Sequence, residues 1–315
     1  GADASDGDPE GLRAMARGIL RNGVTSFLPT TMTVPWDDLE RAFAVIRQFM
    51  PESADPAFDG AQALGCHAEG PFINPKRKGA QSESAILPPD AEKLLRHADL
   101  VRLVTLAPEM PGAIGCIAAL KGKMRVSVGH TDADYETAQA ALAAGADHFT
   151  HTFNAMTGLS HRAPGVVGAA LASSAYAELI ADTFHVHPAV FTLLRRCKGD
   201  QLVLITDCTR AGGLADGEYT LGGQPIFVRG IECRLADGTI AGSVLKMNEA
   251  VRNYRDHTGA PMYEAVACAS LSPARSIGME ARKGSLQPGK DADILLLDDA
   301  CQVRGVWKRG VKVGL

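Results

Sequence analysis

Leu202-Val-Leu-Ile-Thr206 followed by Asp207 is a short apolar, β-rich run that ends on a carboxylate. Reading outward from it, the same design recurs along the chain. Val24–Leu28 leads to Pro29-Thr-Thr31, Ala63–Cys66 to His67-Ala-Glu69, and Val101–Leu106 to Ala107-Pro-Glu109. Arg125–Val128 leads to His130, His148–His151 to Thr152-Phe-Asn154, and Glu178–Ala181 to Asp182 and His185. Between these runs lie helical stretches such as Pro9–Arg21, Asp37–Phe49, Ala133–Ala144 and Pro188–Arg196. Strands alternating with helices build a parallel sheet with crossover helices. In a (β/α)₈ barrel the C-terminal strand ends converge on one face, so polar residues far apart in sequence become neighbours around one pocket. The expected fold class is therefore α/β, a TIM-type barrel.

Composition agrees. The 315 residues suffice for one barrel plus a small appendage, and 46% hydrophobic with only 5% aromatic residues means a core of Ala, Val, Leu and Ile. The formal net charge of -4 offers no basic field for nucleic acid or anionic membrane, so an anionic ligand must be met by a few local groups. Seven scattered cysteines without a C-x-x-C pair fit a reducing cytoplasm. No apolar stretch reaches the ~18 residues of a membrane span.

After the seventh run the pattern changes to Gly-rich hairpin material near 216–240, an excursion from the barrel rim, before helical stretches near Leu245–Arg255 and Met262–Leu271. Residues 1–283 are read as the barrel with this excursion. The tail 284–315, with short strands near Ile294–Leu297, Val303–Trp307 and Val311–Val313, reads as part of a second, small β domain. There is no repeat and no low-complexity segment.

Glu69, His130 and His151 each end a different expected strand. Two imidazoles and a carboxylate with an open position make a catalytic Zn²⁺-type set. Asp207 is delivered to the same face, where it can take a proton from the attacking water and return it to the leaving amine. N-capping of the following segment is its other possible duty. His185 can donate to substrate oxygens; His187, before Pro188 at a helix start, suits a surface or capping role. Asn154, backbone N–H groups and Arg162 share one loop and together can bind a phosphate. His67, His148 and His161 are read as structural or exposed.

At these residues the chain resembles the N-acetylglucosamine-6-phosphate deacetylase family of the amidohydrolase superfamily. The matching stretches include Gly65-Cys-His-Ala-Glu-Gly-Pro-Phe72, Lys78-Gly-Ala80, Gly129-His-Thr-Asp-Ala133, Thr150-His-Thr-Phe-Asn-Ala-Met156 and Arg162-Ala-Pro-Gly165. Ile180-Ala-Asp-Thr-Phe-His185, Thr206-Asp207, Ile240-Ala-Gly-Ser243 and Pro288-Gly-Lys-Asp-Ala-Asp293 continue the match in family order. The resemblance implies a barrel with a small β-sandwich, a homodimer, and hydrolysis of N-acetyl-D-glucosamine 6-phosphate to D-glucosamine 6-phosphate and acetate in amino-sugar catabolism. It implies one or two divalent metals per subunit on Glu69, His130 and His151, zinc first and Fe²⁺, Co²⁺ or Mn²⁺ as other occupants. Asp207 would be the acid/base. Ala80, Asn154, Ala155, Arg162, His185, Ile240, Ala241 and Gly242 would line the sugar-phosphate site, partly across the dimer interface.

Two residues depart from the family pattern: Cys208 where Ala is common, and Thr183 where Gly is usual. Two alternative functions accompany this reading. One is a deacetylase of N-acetylgalactosamine 6-phosphate or another amidohydrolase; the other is a non-catalytic sugar-phosphate-binding barrel. Seven runs also fall one short of the about eight that close such a barrel. The expectation is that the first strand is lacking, and that the native chain carries a further N-terminal segment which completes both barrel and sandwich. A chain without it is expected to be poorly stable and inactive.

Overall fold

The computed structural model of the protein describes residues 1–314. Its strands are β1 Ser26–Phe27, β2 Thr30–Thr31, β3 Gln62–Ala63, β4 Cys66–Glu69, β5 Val101–Leu106, β6 Arg125–Val128, β7 His148–Phe149, β8 Tyr176–Ile180 and β9 Leu202–Ile205, then β10 Gly217–Leu221, β11 Gln224–Arg229 and β12 Glu232–Leu235, and finally β13 Ile294–Leu297, β14 Val303–Lys308 and β15 Val311–Val313. The helices are α1 Pro9–Arg21, α2 Trp36–Ala54, α3 Ala91–Leu95, α4 Ala113–Leu120, α5 Tyr135–Ala144, α6 Gly165–Ala172, α7 Pro188–Lys198, α8 Met247–Thr258, α9 Met262–Ala269 and α10 Leu271–Ser276.

Seven strands form one parallel sheet in the order β2-β4-β5-β6-β7-β8-β9. Helices α4 to α8 pack each against the next as an outer layer. This is the expected α/β barrel architecture with its sheet open, β2 and β9 being the two edges. The register β4 Glu69↔Thr105 and β5 Thr105↔Ser127 levels the strand ends, so that their following residues open on one face. Beyond β9, a single parallel bridge, Cys208↔Ser243, continues the curl.

The chain starts α1 with Pro9 behind the N-cap Asp8, whose carboxylate accepts the N–H groups of Glu10 and Gly11. Two expected strands are broken. The run Val24–Leu28 gives β1 and, past Pro29, β2; Pro29 has no N–H to donate, but its carbonyl accepts the His67 N–H at 3.1 Å. The run Ala63–Cys66 splits at Leu64-Gly65 into β3, which pairs with β1, and β4. The core between sheet and helices is mostly aliphatic, with Phe43, Phe72, Phe149, Phe191 and Tyr254 as its large fully buried rings.

The excursion is a three-stranded antiparallel sheet, β10-β11-β12, and the tail another, β13-β14-β15. The tail sheet is tied down by Lys308 on β14. Its buried ammonium donates to the carbonyls of Ser53, Phe58 and Gly60 at 3.2, 2.5 and 3.0 Å, which satisfies a charge that burial alone would penalise. No helix of the described residues is long and apolar enough to cross a membrane.

Candidate metal centre and active-site cleft

Glu69 is the last residue of β4, while His130, His151 and Asp207 each lie two residues beyond β6, β7 and β9. The last three have positive φ: 48°, 30° and 48°. So do Phe153, Ala155 and Thr183. Left-handed backbone at residues other than glycine is uncommon and costs of order 1–3 kcal/mol each, and its concentration at one rim marks a functional site. Close packing supports it from below: a Cβ on Gly129, just before His130, would fall 2.7 Å from the Thr150 side chain.

The turns aim three side chains at one point. Oε1 of Glu69 lies 2.9 Å from His130 Nε2 and 3.2 Å from His151 Nε2, and the two Nε2 atoms are 3.1 Å apart. All three side chains are buried. His130 Nδ1 faces the Arg77 carbonyl at 2.8 Å, and His151 Nδ1 the Asn154 carbonyl at 3.2 Å. A carbonyl only accepts, so each Nδ1 carries hydrogen and each neutral Nε2 turns a lone pair inward. Two facing lone pairs and a carboxylate are mutually repulsive unless a cation sits among them, and this donor set fits a divalent metal. Burial opposes both shifts, yet Glu69 raises the His151 imidazole to about 9 and the imidazoles hold Glu69 well below the usual carboxylate range. The site therefore favours a positive charge among these groups: a proton on His151 where no metal is bound, a divalent ion once both imidazoles are neutral.

Asp207 is half-buried, and burial together with the nearby Glu69 carboxylate holds its carboxyl above the ordinary range. Its turn is fixed by Ser243, whose N–H donates to the Asp207 carbonyl at 2.8 Å. Gly242 (φ 61°) must be glycine there, since a Cβ would come 3.0 Å from that carbonyl. One cleft of about 2030 Å³ takes in the centre and Asp207 and runs down between the open edges past Phe27, Val203 and Leu295.

Of the remaining expected site residues, Ala80, Asn154, Ala155, His185, Ile240 and Gly242 line this cleft. Ala241 does not. Its side chain is fully buried in the small core under the excursion. Arg162 is exposed on the loop before α6 and is not among the cleft-lining residues. His187 caps α7, with Nδ1 accepting the Ala189 N–H at 3.2 Å. His67 and His148 are both buried: His67 lines the cleft, with Nε2 2.8 Å from Thr105 Oγ1, and His148 Nδ1 pairs with Asp147 at 2.7 Å. His161 is exposed.

Three further carboxylates brace the centre; sequence places Glu109 and Asp182 at strand ends without giving them a role, and leaves Glu178 inside an apolar run. Glu109, after β5, accepts from Asn74 Nδ2 at 2.8 Å, the Asp132 N–H at 2.6 Å and the Thr131 hydroxyl, and so braces the turn that carries His130. Asp182 accepts the N–H groups of Phe184 and His185 on Oδ1 and His185 Nδ1 on Oδ2 at 2.6 Å, which orients that imidazole. Glu178, inside β8, accepts the His151 N–H at 3.2 Å, and burial raises its carboxyl to about 7. A lone acid inside the apolar run Tyr176–Ile180 is the one available signal for Glu178.

Residues 8–313 match the model of the amidohydrolase family. The chain belongs to the amidohydrolase family. It is 41% identical to N-acetylgalactosamine-6-phosphate deacetylase of Escherichia coli O157:H7, over 98% of this chain and 83% of the relative. It is 42% identical to N-acetylglucosamine-6-phosphate deacetylase of Bacillus subtilis (strain 168), over 96% and 78%. The crystal structure of N-acetylglucosamine-6-phosphate deacetylase from Pasteurella multocida superposes with a TM-score of 0.93 at 33% identity, covering 98% of this chain and 81% of that one.

Proposed function

We propose that this amidohydrolase hydrolyses the N-acetyl group of N-acetyl-D-glucosamine 6-phosphate, giving acetate and D-glucosamine 6-phosphate. The observation that carries the reading is the convergence of buried Glu69, His130 and His151 in one cleft with Asp207. These three residues would hold a divalent ion, Zn²⁺ by its preference for two imidazoles and a carboxylate. When bound, such an ion polarises an acyl carbonyl and lowers the pKa of water.

Asp207 takes the proton of the water that attacks the acetyl carbon. The C–N bond then breaks, and Asp207 returns the proton to the amine nitrogen, which leaves as the amino sugar. A carboxyl held above its ordinary range suits both half-steps. His185, whose Nδ1–H donates to Asp182, presents Nε2 as an acceptor for a substrate hydroxyl rather than as the donor expected from sequence. Ala80, Asn154, Ala155, Ile240 and Gly242 shape the sugar pocket, and Ala241 supports it from the core. Arg162 is exposed and off its own cleft, which suits a homodimer in which each copy lends Arg162 to the phosphate held by the other.

The N-acetylgalactosamine-6-phosphate relative, as similar as its glucosamine counterpart, favours a second reading in which the galacto epimer is the substrate. Epimers differ in the direction of one hydroxyl, so acetate release from both 6-phosphates, and from unphosphorylated N-acetylglucosamine, decides between them. Metal content is measured on the same sample. Bound metal with acetate release fastest on N-acetylglucosamine 6-phosphate would support this reading and overturn the expectation from sequence of an inactive chain; bound metal without acetate from any of the three would leave only a sugar-phosphate-binding barrel.

A further inference from the structure

The turn that presents His151 takes a backbone donor out of the sheet. β7 pairs with β8 through His148↔Tyr176 and Phe149↔Ala177 and then stops. At His151 the backbone swings to φ 30°, so its N–H no longer meets a carbonyl of β8. The ladder resumes only with Thr152 N–H donating to the Glu178 carbonyl at 2.9 Å. His151 is 4% exposed, and a buried N–H without an acceptor is rare because water cannot reach it. The acceptor is the Glu178 side chain, whose Oε2 lies 3.2 Å away. Glu178 thus holds two successive peptides, one with its side chain and one with its main chain.

The side chain is a costly choice for that place. Glu178 is buried, between Ala177 and Leu179 in the core, and shares its cavity with Glu69 and Asp207, two further acids. An apolar residue would fit a parallel strand better. Nothing in the proposed reaction requires another carboxyl group. Among the described residues, the bond to His151 is the one hydrogen bond of this side chain, and an aliphatic residue could not replace it.

We propose that Glu178 is a positioning residue for the metal centre: by accepting the His151 N–H it fixes the strained turn that aims His151 Nε2 at Glu69 and His130. The proposal rests on the metal-centre reading and gives Glu178 no part in the chemistry. Its partner is a peptide N–H, so the requirement is an acceptor oxygen at that position rather than a charge.

The test uses the full chain, stripped of metal and titrated with Zn²⁺ against a chromophoric chelator, together with the rise in melting temperature that Zn²⁺ produces. Glu178→Met keeps the volume and removes the acceptor; Glu178→Gln keeps the acceptor and removes the charge. We expect Zn²⁺ affinity about ten- to a hundredfold weaker in the Met variant, the usual cost of losing an outer partner of a ligand, with a smaller Zn²⁺-induced rise in melting temperature. The Gln variant is expected to bind as the wild type does. Met binding as tightly as wild type overturns the proposal, as does Gln losing as much as Met. A merely structural role would lower both melting temperatures and leave the Zn²⁺-induced rise unchanged. If the Met variant does not fold, Gln decides alone: wild-type affinity supports the proposal, and a tenfold loss overturns it. Failure of the wild type to bind Zn²⁺ would instead sink the metal-centre reading itself.

Discussion

Glu69, His130 and His151 sit where β4, β6 and β7 end, and strand register brings them together although 82 residues separate the first from the last. Arg162, expected in the same site and much closer to His151 in the chain, lies exposed on the loop before α6, outside the cleft. A hydrogen-bonded sheet transmits position over long sequence distances; a loop does not transmit it over short ones. The inner wall of the cleft is therefore rigid and braced by Glu109, Asp182 and Glu178, whereas the rim is completed by whatever packs on it.

The largest effect should come from the inner wall. Asp207→Asn keeps the shape and most of the binding but cannot accept a proton, so kcat on N-acetylglucosamine 6-phosphate should fall ~10²–10⁴-fold. Near-native turnover would remove Asp207 from the acid/base role. At the rim, Arg162→Ala should weaken the phosphorylated substrate by about ten- to a hundredfold, the worth of a charge-assisted pair, and leave slow turnover of N-acetylglucosamine nearly unchanged. Equal losses on both substrates would mean that the Arg acts structurally.

Between wall and rim stands the Asp182–His185 pair. Asp182 Oδ1 already accepts two backbone N–H groups, so in Asp182→Asn the amide oxygen must stay there and the NH₂ must face His185 Nδ1. The imidazole then accepts at Nδ1 and carries its hydrogen on Nε2, reversing what it shows the cleft. A loss of about ten- to a hundredfold in kcat/KM is expected, as for other partners that orient a site imidazole. Unchanged kinetics would separate His185 from the reaction.

The same contrast sets what the sequence reveals. Parallel strands leave apolar runs with polar residues at their ends, so β5, β6 and α1 have the bounds that pattern alone predicts, and Glu69, His130, His151 and Asp207 can be grouped without coordinates. Two strands depart from their apolar runs where Pro29 and Gly65 break the ladder, a tertiary detail that hydrophobic pattern does not record. Glu178 is invisible for a different reason. Its partner is a peptide N–H freed by a left-handed turn, and nothing in the letters His-Thr-Phe-Asn marks that turn. Ala241 is expected beside the sugar by resemblance alone, and resemblance also carries Arg162 there, but it does not say from which side or from which copy a residue reaches the ligand.

The smallest effect concerns Thr183, which lies between the bracing Asp182 and the imidazole it holds. Thr183 has φ 69°, a conformation in which a β-branched side chain crowds the following carbonyl at a cost of roughly 1–2 kcal/mol. The resemblance drawn from the sequence leads to the expectation of Gly here, and Gly adopts that conformation freely. Against this, Gly adds freedom to the unfolded chain worth about 0.4–1 kcal/mol. Relief of strain outweighs that freedom, so Thr183→Gly should stabilise the protein by up to ~1 kcal/mol and raise the melting temperature by about 2 °C. His185 should stay in place, because the three bonds that tie Phe184 and His185 to Asp182 do not involve Thr183, and kcat/KM should change little. A lower melting temperature would show that the half-buried threonine makes contacts worth more than its strain. An unchanged melting temperature with reduced kcat/KM would show instead that the strain itself holds the His185 loop against the cleft, extending the rigidity of the inner wall one residue further toward the rim.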